Sequence, residues 1–323
     1  YLMVQLKNQA NEYFKAPVQA NLEELKNAVE LLSNANQAND DGELEAVFNQ
    51  LESDITHKRP TGIKSLPTLD KLFNGGLYGG MLFTIGARPS VGKTAFTANL
   101  AFEITKQDSE IHIDFFTLEM SKREMVNRMI SIETGINSGS LKNPYYLNDK
   151  QKGYVQASVK DYRKKHIRIY DNIFALPDIT RVIRRNASKS KLNKYVAVID
   201  YIGLVNVPGK LERYLQVGEV TRQLKQTANE FDIPIIALSQ LGRQIESRQD
   251  KRPTLSDLRE SGSIEQDSSV VGFLYQPDEE IKNIECLSIQ KNREGKTGDI
   301  DLSFERDKMR FKEIPKEAMQ WRQ

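Results

Sequence analysis

From residue 81 onward, short apolar runs alternate with stretches of helical period. "MLFTIG" (81–86), "HIDFFTL" (112–118), "YVAVID" (195–200) and "IPIIALSQ" (233–240) are rich in β-branched and aromatic residues, the pattern of strands buried on both faces. The spacing between them predicts helices over about 92–107, 121–134 and 212–231. Strands that alternate with helices imply a mostly parallel central sheet covered by helices, an α/β domain. Further on, "SVVGFLYQ", "IECLSIQKN" and "DIDLSFE" are separated by turns alone, so antiparallel C-terminal strands are expected to extend that sheet.

Upstream, the pattern is helical only. Residues 1–57 hold one glycine, Gly42, and one proline, Pro17, and "LEELKNAVELL" sets Leu22, Leu25, Val29 and Leu32 on one face. "GELEAVFNQLESDI" repeats the spacing with Leu44, Val47, Phe48, Leu51 and Ile55. Nothing next to that stripe in sequence partners it, so it docks either on its own chain or on a neighbouring subunit. In "HKRPTGIKSLPTLDKLFNGGLYGG" the composition turns to Pro, Gly and Thr, the mark of a linker and entry loop. Two parts are expected: a helical remnant with a linker helix over 1–57, and the α/β domain over 58–323.

Composition narrows the classes. The net charge of +2 hides a division: residues 1–57 carry −7 and the rest +9. A basic body is either a solvated surface or a nucleic-acid footprint. Cys286 is the only cysteine, which excludes an internal disulfide framework and a cysteine-based zinc site, and His57, His112 and His166 are too scattered to suggest metal ligation. No run of about 18 apolar residues and no signal-peptide pattern is present, so a cytoplasmic protein without a membrane partner is expected. Tyr1 in place of an initiator methionine suggests a piece of a longer chain.

The first chemistry appears in "ARPSVGKT", which follows a strand and opens a helix, as a phosphate-binding loop must. Backbone N–H groups and the helix N-terminus would face an anion, Lys93 would reach the terminal phosphates and the Thr94 hydroxyl would ligate Mg²⁺. The candidate nucleotide-binding residues are Ala87, Arg88, Pro89, Ser90, Val91, Gly92, Lys93, Thr94 and Ala95. Ala87 stands where the usual loop has glycine, which requires a backbone that tolerates a Cβ. Hydrolysis further needs a Mg²⁺-side carboxylate, a group that orients water and positive charge for the transition state. Asp200, ending "YVAVID", either terminates the strand or holds Mg²⁺; beside the phosphate loop, metal coordination is favoured. Glu119 is either a general base or a helix-start carboxylate, and Gln240 either a sensor of the terminal phosphate or a structural amide.

Taken in order, "ARPSVGKTAF", "FFTLEMS", "VIDYIGLV", "IPIIALSQLGRQIESRQDKRP", "LSDLRESGSIEQDSSVVGFLY" and "IQKNREGKTGDIDLSFE" resemble the ATPase domain of the DnaB-type replicative helicases, a RecA-like family of P-loop NTPases. The resemblance spans about residues 60–312, and the leading alanine of "ARPSxGKT" is itself a form this family uses. It implies an ATP- and Mg²⁺-dependent helicase working as a homo-hexamer, moving 5′ to 3′ on single-stranded DNA and opening a forked duplex, with a primase and a loader as partners of the full-length protein. It makes Glu119 the catalytic carboxylate and Gln240 the sensor. Lys291 and Arg293 match a pair that acts on the neighbouring subunit's ATP; without the family, "KNREGK" is a charged hairpin turn. Arg243 and Arg248 after Gln240, and Arg259, Glu260 and Gly262 in "LRESGS", match two DNA-contacting loops. Without aromatic side chains these loops would track the backbone. "RVIRRNASKSKLNK" (181–194) is more basic, yet reads as the solvated face of a helix. The family's N-terminal domain is larger than the 57 residues here, so it is expected to be absent or mostly cut away, and "GELEAVFNQLESDI" falls at the position of its linker helix. The rival readings are a RecA-type recombinase filament and a nucleotide-gated DNA-binding or loader protein without unwinding.

Overall fold

The computed structural model describes residues 2–36, 62–209, 212–248, 250–258, 261–278 and 283–315, together with Glu45, Phe48, Asn49, Leu51, Glu52, Ser53, Ile55 and Ile281. The chain divides into two compact units, Tyr1–Arg59 and Pro60–Gln323. In the first, α1 (Leu2–Lys15) packs on α2 (Gln19–Asn36). Along α2 Leu22 and Leu25 are half-buried and Ala28 is buried, whereas Val29 is exposed. The buried face steps by three residues to a small alanine, which a count of large apolar side chains passes over. Of the second predicted stripe, Leu44 and Val47 lie outside the described residues, while Phe48, Leu51 and Ile55 are exposed.

The second unit runs α3 (Pro67–Leu72), β1 (Leu82–Ala87), α4 (Lys93–Gln107), β2 (His112–Thr117), α5 (Lys122–Thr134), α6 (Ser138–Lys142), α7 (Asp149–Tyr162), β3 (His166–Tyr170), α8 (Leu176–Ala187), β4 (Tyr195–Asp200), α9 (Arg213–Glu230), β5 (Ile235–Gln240), α10 (Ser261–Asp267), β6 (Val270–Tyr275), β7 (Ile284–Asn292), β8 (Gly298–Glu305) and β9 (Arg310–Glu313). One nine-stranded sheet has the order β3-β2-β4-β5-β1-β6-β7-β8-β9. Pairs from β3 to β6 are parallel, and those from β6 to β9 antiparallel. Every residue of β1 and β4 is buried, which is why their sequences are continuous apolar runs. Successive residues feed opposite layers: Phe115 joins the core with Phe83 and Phe96, and Phe116 the one with Ile199 and Phe273. This mostly parallel sheet with antiparallel C-terminal strands is the expected architecture.

Two strands escape the apolar pattern. The edge strand β3, "HIRIY", alternates exposed and half-buried positions, and β9 has only four residues. The β2/β3 register sets His112 opposite His166, their rings stacked with centroids 4.3 Å apart, so two histidines scattered in sequence are neighbours. His57 lies outside the described residues. Among the described residues no group of three or more His, Cys, Asp or Glu side chains could hold a metal ion. Beneath this edge the buried Asp114 accepts 2.6 Å bonds from Asn186 Nδ2 and Tyr195 OH, so its charge is satisfied inside the fold. Helix α8 buries Leu176, Ile179, Val182 and Ile183 and exposes Arg181, Arg184 and Arg185, as a solvated basic face does. No described helix is long and apolar enough to cross a membrane.

Candidate functional site

The strand order places β1 between β5 and β6, so the loop after β1 opens at the centre of the sheet's C-terminal edge. Ala87 ends β1 in extended pairing with Gln240 and Leu274, a conformation that accepts a Cβ. The left-handed positions come later, at Ser90 (φ 68°) and Gly92 (φ 105°). A Cβ on Gly92 would lie 2.8 Å from the Phe304 ring, so glycine is required there by both backbone and contact. Gly92 is also the N-cap of α4 and supplies no side-chain cap, which leaves first-turn N–H groups for an anion. Pro89 and Ser90 are exposed, whereas Val91 packs against the core.

The cleft beside this loop has a volume of about 540 Å³, and Lys93, Thr94, Ala95, Glu119 and Gln240 line it. Lys93 lies with Nζ 4.5 Å from the Tyr201 ring centroid. Burial lowers its pKa, while Asp200 and Glu119 favour its charge. Asp200 is fully buried, and burial raises its carboxyl above the usual range against the pull of Lys93. The Thr94 hydroxyl also faces this carboxyl and favours its charge, although by hydrogen-bond geometry neither Asp200 oxygen has a partner among the described residues. A buried carboxyl whose oxygens complete no hydrogen bond by geometry, beside the Thr94 hydroxyl, fits a Mg²⁺ ion or its bound water. Glu119 stands exposed in the turn after β2. That turn is set by Thr117 Oγ1 donating to the Met120 carbonyl at 3.0 Å and by the Ser121–Glu124 capping box that starts α5.

Arg128, which no sequence motif singles out, also lines the cleft. Burial works against its charge, while Asp200, Glu124 and Glu119 sustain it. It lies nine residues after Glu119 on a polar helix, where the only signal is a further basic residue on a helix that begins at the cleft. Phe304, Arg306 and Met309 of the β8–β9 hairpin line the cleft as well. Phe304 stacks on Phe311 with centroids 4.0 Å apart, and Arg306 covers Phe304 at 4.9 Å. Arg306 Nη1 donates to the Ser90 carbonyl at 3.0 Å and Nη2 to Glu285 Oε1 at 2.5 Å, clamping the phosphate loop.

Burial pushes the Glu285 carboxyl up to about 7 from its ordinary 4.5, with Arg306 opposing. Between those values the folded chain holds a proton that the unfolded chain has released. The contribution of Glu285 to stability is therefore full below pH 4.5 and is lost as pH rises toward 7, by roughly 3 kcal/mol at most. Glu285→Gln is expected to flatten that part of the stability profile, measured as denaturant midpoints from pH 5 to 8; an unaltered slope would contradict the assignment.

Other predicted residues lie elsewhere. Lys291 Nζ donates to the Glu265 carbonyl and Arg293 Nη2 to the Gln266 carbonyl, on the last turn of α10 and not in the chain's own cleft. Burial and Arg293 lower the pKa of Lys291, while Glu265 and Asp267 oppose them. Arg248, expected in a DNA-facing loop, donates to Asp257 Oδ2 at 2.6 Å and to the Arg252 carbonyl at 3.1 Å, so it braces the loop internally. The Arg243 side chain, Arg259 and Glu260 lie outside the described residues. Gly262 is exposed at the start of α10, with open space where a Cβ would stand.

The DnaB-like helicase C-terminal domain matches residues 60–313. The replicative DNA helicase DnaB of Geobacillus stearothermophilus is 38% identical over 270 residues, 80% of this chain and 58% of that protein. The replicative DNA helicase DnaC of Bacillus subtilis (strain 168) is 38% identical over 268 residues, 79% of this chain and 58% of that protein. A solved DnaB-like replicative helicase, described with its interactions with primase, superposes with a TM-score of 0.81 at 30% identity, covering 97% of this chain and 76% of that one. A solved ATPase domain gives 0.77 at 32% identity, covering 86% of this chain and 99% of that one. The chain spans a little under three-fifths of the length of these two relatives. The chain belongs, through residues 60–313, to the DnaB-like helicase family.

Proposed function

We propose that this chain is the ATP-hydrolysing motor of a replicative DNA helicase, acting as a cytoplasmic homo-hexameric ring on single-stranded DNA at a forked duplex. One observation carries the reading: Lys93, Thr94, Glu119 and Gln240 line one cleft where an uncapped helix opens, and the buried Asp200 carboxyl lies behind it within the influence of Lys93 and Thr94. The α4 N–H groups and Lys93 would bind the phosphates, Thr94 and Asp200 would hold Mg²⁺, and Glu119 would accept a proton from the attacking water. Mg²⁺ bound there would neutralise charge on the transferring phosphoryl group. Gln240 ends the strand beside the phosphate loop, so it can sense the terminal phosphate and pass its loss to residues 241–258.

Lys291 and Arg293 lie outside the chain's own cleft, which supports action on a neighbour's ATP. By the family resemblance, Arg243, Arg248, Arg259, Glu260 and Gly262 would belong to two strand-contacting loops. A primase, as named for the related structure, and a loader would engage the whole protein. Electron microscopy with ATP and single-stranded DNA is expected to show closed rings. Open helical filaments would favour a recombinase instead.

A further inference from the structure

A link that phosphate binding does not require joins the phosphate loop to the segment after β5. The Leu241 N–H donates to the Ala87 carbonyl at 3.1 Å. The next residue, Arg88, sends Nη1 to the Leu241 carbonyl at 2.8 Å and Nε to Glu246 Oε1 at 3.1 Å, with Nη2 on that same oxygen. All three guanidinium nitrogens of Arg88 therefore have protein acceptors. Although Arg88 falls within the phosphate-loop motif, its donors serve the neighbouring segment.

That segment is itself a braced loop. Leu241 bridges to Leu258, and the Gly242 N–H donates to the Asp257 carbonyl at 3.1 Å, closing its neck. Arg248 on Asp257 ties the far side, and the Asp257 carboxylate accepts from Thr254 N at 2.7 Å. These contacts tie Leu241 to Leu258 and Arg248 to Asp257 across the loop. Arg88 itself stands on Ala87, locked in β1, two residues before the left-handed Ser90. Its side chain is 19% exposed and that of Glu246 62%. A pair at such a rim contributes only about 0–1 kcal/mol to stability. Yet Nε and Nη2 on one Glu246 oxygen together with Nη1 on the Leu241 carbonyl orient the planar guanidinium between two points of the segment.

We propose that Glu246 is a positioning residue that couples the phosphate loop, through Arg88, to the DNA-facing segment 241–258. The inference rests on the reading of that segment as a DNA contact under the proposed function. When a nucleotide draws the loop in, Arg88 moves Glu246 and Leu241 with it. By reciprocity, a DNA strand that holds the segment biases the loop.

The test uses the assembled oligomer, Glu246→Ala, Glu246→Gln, and the exchanged pair Arg88→Glu with Glu246→Arg. ATP turnover is measured without DNA and with saturating oligothymidylate, together with oligothymidylate affinity in ADP and in a non-hydrolysable ATP analogue. Both single variants are expected to keep DNA-free turnover within about twofold and to lose about fivefold or more of the DNA stimulation and of the affinity difference between nucleotides. The exchanged pair is expected to recover part of both. Undiminished stimulation and affinity difference in Glu246→Ala would overturn the coupling while leaving the proposed function standing. Loss of DNA-free turnover in both single variants would overturn it in favour of a purely structural role. If the unsubstituted protein shows no DNA stimulation, the DNA-facing reading fails and the coupling with it.

Discussion

Lys93→Ala is expected to lower ATP turnover by at least about a thousandfold while the protein stays folded. Lys93 opens α4, and alanine is the better helix former there, so the helix has no local reason to unwind. The burial that anchors α4 comes from Phe96, Ala98 and Leu100, which the substitution does not touch. What is lost is the ammonium group whose charge is sustained by Asp200 and Glu119. The terminal phosphates then lose their cation, and burial weighs still more heavily on the Asp200 carboxylate. Phosphate release in steady state, read beside the unfolding midpoint, checks both halves. Turnover at the unsubstituted rate would contradict the assignment of the nucleotide site.

Arg293→Ala is expected to cost on the order of a thousandfold in turnover and to be rescued by mixing with Lys93→Ala subunits. In the single chain the Arg293 guanidinium rests on the Gln266 carbonyl, with Lys291 on the preceding carbonyl of α10. Neither cation lines the chain's own cleft. If both serve a neighbour, a Lys93→Ala subunit still lends its intact Arg293 to an adjacent Arg293→Ala subunit, whose own Lys93 is intact. Some interfaces of a mixed ring are then complete, and turnover returns although each parent is inactive. Mixed assemblies that form, as read by light scattering, and yet stay inactive would exclude action between subunits.

The phosphate loop and its supporting strands were legible because β1, β2, β4 and β5 lie within the sheet and must be apolar on both faces. The antiparallel extension was legible because, among the described residues, no helix separates β6, β7 and β8. Hidden features share a physical cause: their significance arises only when distant segments meet. Arg128 reads as one more basic residue on a polar helix until the cleft turns it toward Asp200 and Glu119. Glu285 and Arg306 sit 21 residues apart on different elements, and burial of Glu285 gives the pair its meaning. Arg88 and Glu246 are 158 residues apart, and nothing local in either tract announces the other. Arg248 shows the converse, since an arginine placed by motif in a DNA loop is engaged by Asp257 within that loop.

The leading alanine of "ARPSVGKT" finds its explanation in geometry. Ala87 is still a strand residue, and the conformations that exclude most side chains fall at Ser90 and Gly92. The loop therefore keeps its glycine where Phe304 and the helix start demand it.

The most direct test of the central claim is strand displacement on a forked duplex by the full-length protein, with and without Lys93→Ala. ATP-dependent release of the displaced strand is expected from the unsubstituted protein and none from the variant. ATP hydrolysis without any displacement, or displacement that survives Lys93→Ala, would contradict it.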